Sequence, residues 1–383
     1  MAKFVFPNGF YWGAATSAYQ VEGNNHNDWS EWEKTRDKGI EDPINYISGR
    51  ACDHYNRFRE DFDIAKQLGH NAHRFSIEWS RIEPEEGKWN EKEIQHYQEV
   101  VNALRERGIE PFVTLWHWTL PLWVAKQGGW ENKKTINDFA RYCEKIANSL
   151  KGIKFWMPIN ESEFWLANAY GSKNFPAPRK SFLAGFKAYW NLAKAHKVVY
   201  RKLKKISPDF IVGIVESTGW IEPNFTRWLL HELRNFTFPR LVRGYFDFFG
   251  LNYYRKRTFF KKPLEVSDMG WEIYPKGIYK IIKGAYSRFK KPIYITENGL
   301  ADAQDKYRTE FIREHIKWIA RAMKEGLDVR GYMYWSLLDN FEWDNGFWPR
   351  FGLVEIDYKT VERKIRSSAF EYKKIIEENL KEI

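Results

Sequence analysis

The chain has 383 residues, of which 43% are hydrophobic and 29% are charged, a balance that predicts a soluble globular protein and excludes a disordered one. Its net charge of +11 would suit nucleic acid or an anionic membrane. No basic run is long and no nucleic-acid-binding module is present, so we interpret the surplus as a solvated basic surface and predict no nucleic-acid partner.

The beginning of the chain lacks the pattern of a signal peptide, and no uncharged apolar run approaches the roughly 20 residues of a spanning helix. Cys52 and Cys143 are the only cysteines, too few for a disulfide framework. These features favour a reduced, cytoplasmic location. Low Cys and Met content with abundant Lys and Glu indicates a thermophilic source.

Short β-rich runs alternate with longer amphipathic stretches along the chain. The predicted strands are Tyr11–Ala15, Ala72–Ile77, Pro111–Leu115, Phe155–Ile159, Ile211–Val215, Phe246–Leu251, Pro292–Thr296 and Gly331–Trp335. Between them lie predicted helices such as Asp53–Leu68, Glu91–Arg107, Lys134–Leu150, Phe182–Ile206, Asp305–Glu325 and Thr360–Leu380. Eight such units predict an α/β fold, a single (β/α)8 TIM barrel over residues 1–383. An open doubly wound sheet is the alternative, but Gly13–Thr16 lacks its Gly-rich phosphate turn.

The active site of such a barrel lies at the carboxyl ends of the strands. The predicted ends are rich in polar and aromatic residues, namely Ser17, Gln20, Arg74, Trp116, His117, Trp118, Asn160, Glu161, Asn252, Tyr253, Tyr254, Glu297, Asn298, Trp335, Asp339, Glu342 and Trp343. An inert barrel has no reason to collect carboxylates, amides and indoles at one end. The 19 Trp residues also weakly favour a carbohydrate site, because sugar C–H faces stack on indole rings.

Glu161 and Glu297 follow predicted strands four and seven, on opposite sides of the barrel, and each neighbours an Asn. Hydrolysis of a glycosidic bond requires one carboxylic acid and one carboxylate in this arrangement. Arg74 and Tyr254 could both reach Glu297 and would favour its charged form, as a nucleophile requires. A second negative charge nearby is unfavourable, so Glu161 should keep a raised pKa and act as the acid/base.

These residues belong to motifs that occur in one order: FYWGAATSAYQVEG at 10–23, RFSIEWSRIEP at 74–84, VTLWHWTLPLW at 113–123, NE at 160–161, NYY at 252–254, YITENG at 294–299, YWSLLDNFEW at 334–343 and RFGLVEIDY at 350–358. With them the chain resembles glycoside hydrolase family 1, the β-glucosidase and β-galactosidase group of (β/α)8 enzymes. The resemblance extends from Phe6 nearly to the C-terminus and suggests a shortened member of archaeal or thermophilic origin.

The resemblance implies a role for each matching residue. Glu161 would be the acid/base and Glu297 the nucleophile, oriented by Arg74 and Tyr254, while Asn160 would hold the sugar 2-hydroxyl. The implied substrate-binding residues are Gln20, His117, Trp118, Trp335, Glu342 and Trp343, with Trp335 as the platform beneath the sugar. His117 and Trp335 could instead be ordinary core residues.

The expected activity is that of a retaining exo-β-glycosidase acting on small-molecule β-glycosides or oligosaccharides, with no metal and no cofactor. Glu342 suits neutral hydroxyls, and DNFEWDNGF lacks the Lys of a phosphate pocket, which argues against a phosphorylated sugar. Glucose is the favoured terminal sugar, with galactose, mannose and fucose as alternatives. A sugar-binding protein with weakened catalysis on the same barrel is the rival function.

Two departures from the family pattern stand out. Ser162 replaces the expected Pro after Glu161, which should loosen the backbone slightly without abolishing activity. The chain is also short after strand five, at about 216–246. The remaining segment 224–246 is aromatic and basic, with Phe225, Leu229, Leu233 and Phe236 on one helical face. This face either packs on the strands or contacts an anionic membrane or a second subunit.

Overall fold

Eight parallel strands close into a barrel in which spatial order follows chain order, which confirms the predicted TIM barrel. The computed structural model describes residues 6–35, 43–172, 174–179, 181–222, 225–257 and 265–380. The barrel strands are β1 (Tyr11–Ala15), β2 (Ala72–Ser76), β3 (Glu110–Trp116), β4 (Phe155–Ile159), β5 (Ile211–Ile221), β6 (Phe248–Arg257), β7 (Ile293–Asn298) and β8 (Val329–Trp335). A separate antiparallel pair consists of β9 (Val354–Ile356) and β10 (Arg363–Ile365).

Helices connect the strands. They are α1 (Ala18–Val21), α2 (Asp28–Lys34), α3 (His54–Gln67), α4 (Trp79–Ile82), α5 (Glu91–Glu106), α6 (Leu122–Lys126), α7 (Lys134–Ser149), α8 (Ser162–Leu166), α9 (Phe182–Ile206), α10 (Phe225–Leu241), α11 (Lys276–Phe289), α12 (Arg308–Lys324) and α13 (Ser367–Leu380). Short 3₁₀ segments lie at Pro43–Tyr46, Gly129–Glu131 and Trp343–Asn345, and a π-helical turn lies at Ala167–Ser172.

Aromatic side chains fill the amino-terminal part of the barrel interior. Phe112 and Phe155 stack with ring centroids 4.0 Å apart, and Tyr294 packs against both. Because side chains of a strand alternate between its two faces, the next inward position is two residues further on. On β2 and β3 those positions carry Arg74 and Thr114, whose side chains bond each other at 3.2 Å. The apolar layer therefore forms the floor of a polar site.

Strands β5 and β6 extend well past their predicted ends at Val215 and Leu251. The prediction ended them too early because Ser217–Gly219 and the charged run from Arg255 have the composition of a loop. In the structure they remain paired as far as Ile221 and Arg257. This extension raises one wall of the barrel above the site.

Two helix predictions were also incomplete. Helix α11 was missed, although it buries Ile278, Ile281 and Ile282 at helical spacing. The helix predicted from Thr360 begins only at Ser367, because Val361 has a positive φ of 56° and residues 363–365 form β10. Neither difference changes the eight strands of the barrel.

The helical face predicted within 224–246 is divided in the structure. Phe236 is fully buried, but Leu229 and Leu233 are exposed, so the expectation that this face packs on the strands is wrong for both leucines. Besides Phe236, the buried residues of α10 are His231, Glu232, Asn235, Phe238 and Pro239. Residue 224 and the side chain of Phe225 lie outside the described part of the chain.

Candidate active site

Glu297 lies at the end of β7 and is held by two donors. An Arg74 guanidinium nitrogen donates to Oε1, and the Tyr254 hydroxyl donates to Oε2 at 2.5 Å. Desolvation and the charge of Glu297 raise the pKa of Tyr254 well above its usual value, so the phenol keeps its proton and remains a donor. Both carboxylate oxygens of Glu297 are thereby held in fixed positions by hydrogen-bond donors.

The backbone at Glu297 explains two further features of the sequence. Leu251 pairs with Ile295 but Asn252 pairs with Glu297, so one extra residue bulges out of β7 and turns Glu297 toward the site. A side-chain carbon at Gly299 would lie 1.8 Å from the carbonyl oxygen of Trp335. Only glycine fits there, which accounts for the last residue of the TENG motif.

Glu161 follows β4 and precedes α8, with a positive φ of 43°. Its amide nitrogen donates to the Val215 carbonyl at 2.9 Å, which fixes this unusual backbone. The Asn252 side-chain nitrogen donates to Glu161 Oε1 at 2.7 Å. Burial and the charge of Glu297 raise the pKa of Glu161 to about 8, against the opposing effects of Asn252 and Arg74. Glu161 is therefore protonated at neutral pH, as a general acid must be.

Asn160 connects Arg74 to His117 beneath the pocket. Its Oδ1 accepts a hydrogen bond of 2.6 Å from Arg74, which orients the amide, and its Nδ2 then donates to His117 Nε2 at 3.1 Å. Burial and the Arg74 cation hold the pKa of His117 well below its usual value, so the ring is neutral. Since Nε2 accepts, Nδ1 carries the proton. Among the described residues, that buried Nδ1 has no partner and is available for a ligand hydroxyl.

Gln20 and Glu342 meet in the lining of the pocket, where Gln20 Nε2 donates to Glu342 Oε2 at 3.1 Å. Ser17 Oγ donates to Gln20 Oε1 at 2.7 Å and sets the orientation of its amide. Burial and the charges of Glu297 and Asp344 raise the pKa of Glu342 to about 8. A carboxylic acid and an amide side by side offer both donors and acceptors, the pattern that adjacent sugar hydroxyls require.

Indole rings form the walls. Trp343 lies nearly parallel to His117, with centroids 5.9 Å apart, and also packs on Trp118 at 4.7 Å. Trp118 and Trp343 have positive φ values of 82° and 52°, backbone conformations that are rare outside glycine and occur at functional sites. Trp118 donates its indole N–H to the Asn160 carbonyl at 3.0 Å. The indole N–H of Trp118 is therefore used within the protein, which leaves only the ring face of Trp118 for a ligand.

The resulting cavity opens to solvent. Its predicted lining residues are Gln20, His117, Trp118, Glu161, Tyr254, Glu297, Trp335, Glu342 and Trp343. Arg74 and Asn160 lie beneath it and contact the lining residues. Sequence reasoning did not anticipate Phe164, Ser217, Thr218, Arg255, Arg257 and Trp271 as lining residues, nor the bond from Asn252 to Glu161. Asn252 was visible as a strand-end residue, but nothing in the sequence gave its partner.

Ser162 is fully buried, and its side chain is held by a hydrogen bond. Its Oγ donates to Glu216 Oε1 at 2.8 Å, and Glu216 Oε2 is buried without a partner among the described residues. Burial and the charge of Glu163 raise the pKa of Glu216 well above its usual value. The hydroxyl that replaces the expected Pro therefore ties the start of α8 to β5, directly behind Glu161.

No group of three or more His, Cys, Asp or Glu side chains is arranged to hold a metal ion in the part of the chain that the structure describes. Within the same residues, no helix is long and apolar enough to cross a bilayer.

A sequence profile of the glycosyl hydrolase family 1 matches residues 2–230 and 260–381. Beta-glucosidase A of Thermotoga maritima is 34% identical over 447 aligned positions, which cover 98% of this chain and 98% of that protein. A beta-glycosidase from Pyrococcus horikoshii superposes with a TM-score of 0.90 at 38% identity, covering 98% of this chain and 96% of that one. A beta-glucosidase from Thermotoga maritima in complex with deoxynojirimycin superposes with a TM-score of 0.90 at 32% identity, covering 99% of both chains.

Proposed function

The chain belongs to glycosyl hydrolase family 1 and is an O-glycosyl hydrolase, in which we propose that Glu297 is the nucleophile and Glu161 the acid/base of a retaining exo-β-glycosidase. The observation that carries this assignment is the contrast between the two carboxyls. Arg74 and Tyr254 stabilise charge on Glu297, whereas burial and the proximity of that charge keep a proton on Glu161. Retaining hydrolysis requires this pair of protonation states.

In the first step, Glu297 attacks the anomeric carbon while the bond to the leaving oxygen breaks. Glu161 gives its proton to that oxygen, and a covalent glycosyl ester forms on Glu297. Esterification removes the negative charge of Glu297, which is one cause of the raised pKa of Glu161. The pKa of Glu161 therefore falls at the moment when the residue must change from acid to base.

In the second step, Glu161 takes a proton from water, and the resulting hydroxide attacks the anomeric carbon. The ester bond to Glu297 breaks, the β configuration is restored and both side chains return to their starting states. Each step uses only side chains of this chain. Another hydroxyl compound in place of water would give transglycosylation by the same route.

We assign the sugar-binding role to the side of the pocket formed by Gln20, His117 and Glu342. The protonated Nδ1 of His117 and the amide and carboxyl of Gln20 and Glu342 supply donors and acceptors for neutral hydroxyls. Trp335 provides an apolar surface for the sugar ring. We propose a terminal β-glucoside as the preferred substrate, with galactosides, mannosides and fucosides as weaker ones, since the similar proteins include beta-glucosidases.

A panel of chromogenic β-glycosides with one common aglycone tests this assignment. We expect turnover of the β-glucoside, lower kcat/KM for its 4-epimer and 2-epimer, and no turnover of α-glycosides. Absence of turnover on every β-glycoside would favour the rival function, a sugar-binding protein that has lost catalysis.

We further propose that residues 1–383 form one catalytic domain, shortened after β5. The alignment to Thermotoga maritima beta-glucosidase A spans 447 positions, more than this chain contains, and the family profile leaves residues 231–259 unmatched. The unmatched part overlaps the predicted short segment at 216–246. The low Cys and Met content and the similarity to a Thermotoga maritima protein also support a thermophilic source.

For the surface around 224–246 we propose contact with an anionic membrane by a cytoplasmic enzyme. Exposed apolar side chains cluster on α10 (Trp228, Leu229, Leu230, Leu233) and α9 (Phe182, Leu183, Phe186, Trp190). Glu163 Oε1 accepts from both Tyr189 of α9 and Phe238 of α10, so the two helices are neighbours. Exposed Lys187 and Lys194 lie among the α9 residues, and cations beside apolar side chains suit an anionic surface.

Co-sedimentation with liposomes tests this contact. The enzyme should bind vesicles containing anionic lipid, and Phe182→Ser with Leu183→Ser should reduce binding, while Tyr307→Ser, an exposed aromatic change elsewhere, should not. No binding would overturn the membrane proposal. A dimer in light scattering that the same Ser variants dissociate would instead favour a second copy of the chain.

A further inference from the structure

Three arginines lie together where the wall formed by β5 and β6 rises beside Glu161, and the proposed hydrolysis does not use them. Arg255 and Arg257 line the cavity next to Ser217 and Thr218. Arg234 of α10 is close enough for its charge to act on both. We call Arg234, Arg255 and Arg257 the arginine cluster.

A bulge brings the two strand arginines to the pocket. Thr218 pairs with Tyr253 and Trp220 pairs with Lys256, so β6 has two residues opposite the single Gly219. The extra residue shifts the alternation of side chains, and Tyr254, Arg255 and Arg257 all reach the cavity. A side-chain carbon at Gly219 would lie 3.0 Å from Arg257 Nε, so the glycine leaves room for the guanidinium.

No carboxylate among the described residues forms a salt bridge with the cluster, although the charge of Glu163 acts on Arg234. Nε of Arg257 is buried there without a hydrogen-bond partner. Arg255 stacks its guanidinium 4.6 Å from the ring centroid of Trp271, a contact that leaves its N–H edges unused. Lys256, between them, is paired on the other side of the strand with Glu222 at 3.2 Å and Glu272 at 3.6 Å. Glu222 and Glu272 are thus ion-pair partners of the lysine.

The three charges destabilise one another. Burial and the charges of Arg234 and Arg255 lower the pKa of Arg257, and burial and Arg234 lower that of Arg255. A guanidinium does not release its proton in a folded protein, so this repulsion is relieved by an anion and not by deprotonation. The unused N–H groups in the cavity wall offer the donors that such an anion needs.

The position of the cluster identifies which part of the substrate it meets. The charges of Glu163 and Glu161 act on Arg234, and the charge of Glu161 also acts on Arg257. Under the proposed function Glu161 protonates the leaving oxygen, so the cluster lies on the leaving-group side, away from Gln20 and Glu342. We propose that the arginine cluster binds an anionic group, a carboxylate, sulfate or phosphate, on the aglycone, and that acidic β-glycosides are the preferred substrates. This inference rests on the proposed function.

A matched pair of substrates tests the preference. In 4-(carboxymethyl)phenyl β-glucoside a methylene separates the charge from the phenol, and the corresponding methylamide is its neutral partner. We expect kcat/KM at least about tenfold higher for the acid, the contribution of one charge-assisted hydrogen bond, and a smaller ratio at high salt. Sulfonate and phosphonate analogues show which anion the site prefers.

Substitution then assigns the preference to the cluster. Arg257→Gln should bring the ratio of the two kcat/KM values close to one. The control Lys256→Gln removes a neighbouring charge that points away and should leave the ratio unchanged. Equal kcat/KM for both substrates in the wild type, or the same ratio in Arg257→Gln, would overturn the inference while the proposed hydrolysis stands.

A binding measurement keeps the inference testable without turnover. Binding of phenylphosphonate can be followed by Trp fluorescence, because Trp271 contacts Arg255. The wild-type protein should bind phenylphosphonate, and Arg257→Gln should bind it at least about tenfold more weakly. No binding by the wild type, or equal binding by both proteins, would overturn the anion site. Binding in a protein that hydrolyses neither glucoside would uphold the site and reject the proposed function.

Discussion

Asn252 donates a 2.7 Å hydrogen bond from its side-chain nitrogen to Oε1 of Glu161, and its own Oδ1 accepts 2.6 Å from Thr296. The amide is therefore fixed with its donor toward the acid/base. A donor at this oxygen stabilises the charged carboxylate, so Asn252 partly opposes the burial that raises the pKa of Glu161. The pH at which the enzyme loses its general acid depends on this balance.

The first prediction concerns that pH. Because Glu161 must be protonated to act as the acid, kcat/KM should be retained below its pKa and fall as pH rises through about 8. Asn252→Ala removes a donor to the charged form and should move this alkaline limb to higher pH. Asn191 is also a buried amide, but it donates to the backbone carbonyl of Trp130. Asn191→Ala is therefore the control and should leave the alkaline limb in place. A limb that stays in place or moves to lower pH in Asn252→Ala would contradict the role of Asn252.

The second prediction separates proton donation from nucleophilic attack. Glu161→Gln removes the proton donor, so kcat/KM for a methyl or phenyl glycoside should fall by about 10² to 10⁴. 2,4-Dinitrophenolate is a leaving group that needs no protonation. For a 2,4-dinitrophenyl glycoside, kcat/KM should therefore fall less than about tenfold in this variant. Glu297 is unchanged in this variant and still forms the ester. Equal losses for good and poor leaving groups would show that Glu161 is not the acid.

The third prediction concerns Ser162. Ser162→Ala, and likewise Ser162→Pro, removes the donor to the buried Glu216 and should lower the free energy of unfolding by about 1–3 kcal/mol. This loss should occur although Pro suits the first position of a helix. In a Glu216→Leu background the same changes should cost about 1 kcal/mol less, as denaturant unfolding would measure. Additive effects of the two sites would mean that the hydrogen bond contributes nothing.

The fourth prediction tests the backbone at the nucleophile. Gly299→Ala would place a carbon against the Trp335 carbonyl oxygen, so either β7 or β8 must move. We expect a loss of more than about 3 kcal/mol in unfolding free energy or failure to fold. Gly171→Ala, at a glycine whose added carbon meets nothing within 4 Å, is the control and should be tolerated. Normal stability of Gly299→Ala would contradict the close approach.

The barrel and most of the pocket lining could be predicted from the sequence, whereas two parts of the site could not. Residues such as Arg74 and Glu342 lie at strand ends or in motifs, and a closed barrel brings all strand ends together. The orientation of Glu297 and the entry of Arg255 and Arg257 into the cavity depend on bulges in β7 and β6. Nothing in the amino-acid composition of these strands marks the extra residue of a bulge. Beyond the bulge, the inward and outward facing of side chains predicted from the sequence is therefore wrong. The partners of Asn252 and Ser162 are long-range contacts, which local pattern does not specify.

The assignment of Glu297 as nucleophile is tested most directly by removing its carboxylate and offering a small anion in its place. Glu297→Ala should lose at least about 10⁴-fold in kcat, because no ester can form on alanine. Azide should fit the vacated space, restore turnover of a β-glycoside with a good leaving group and yield an α-glycosyl azide. A β-glycosyl azide, or appreciable hydrolysis by Glu297→Ala that azide leaves unchanged, would contradict the assignment.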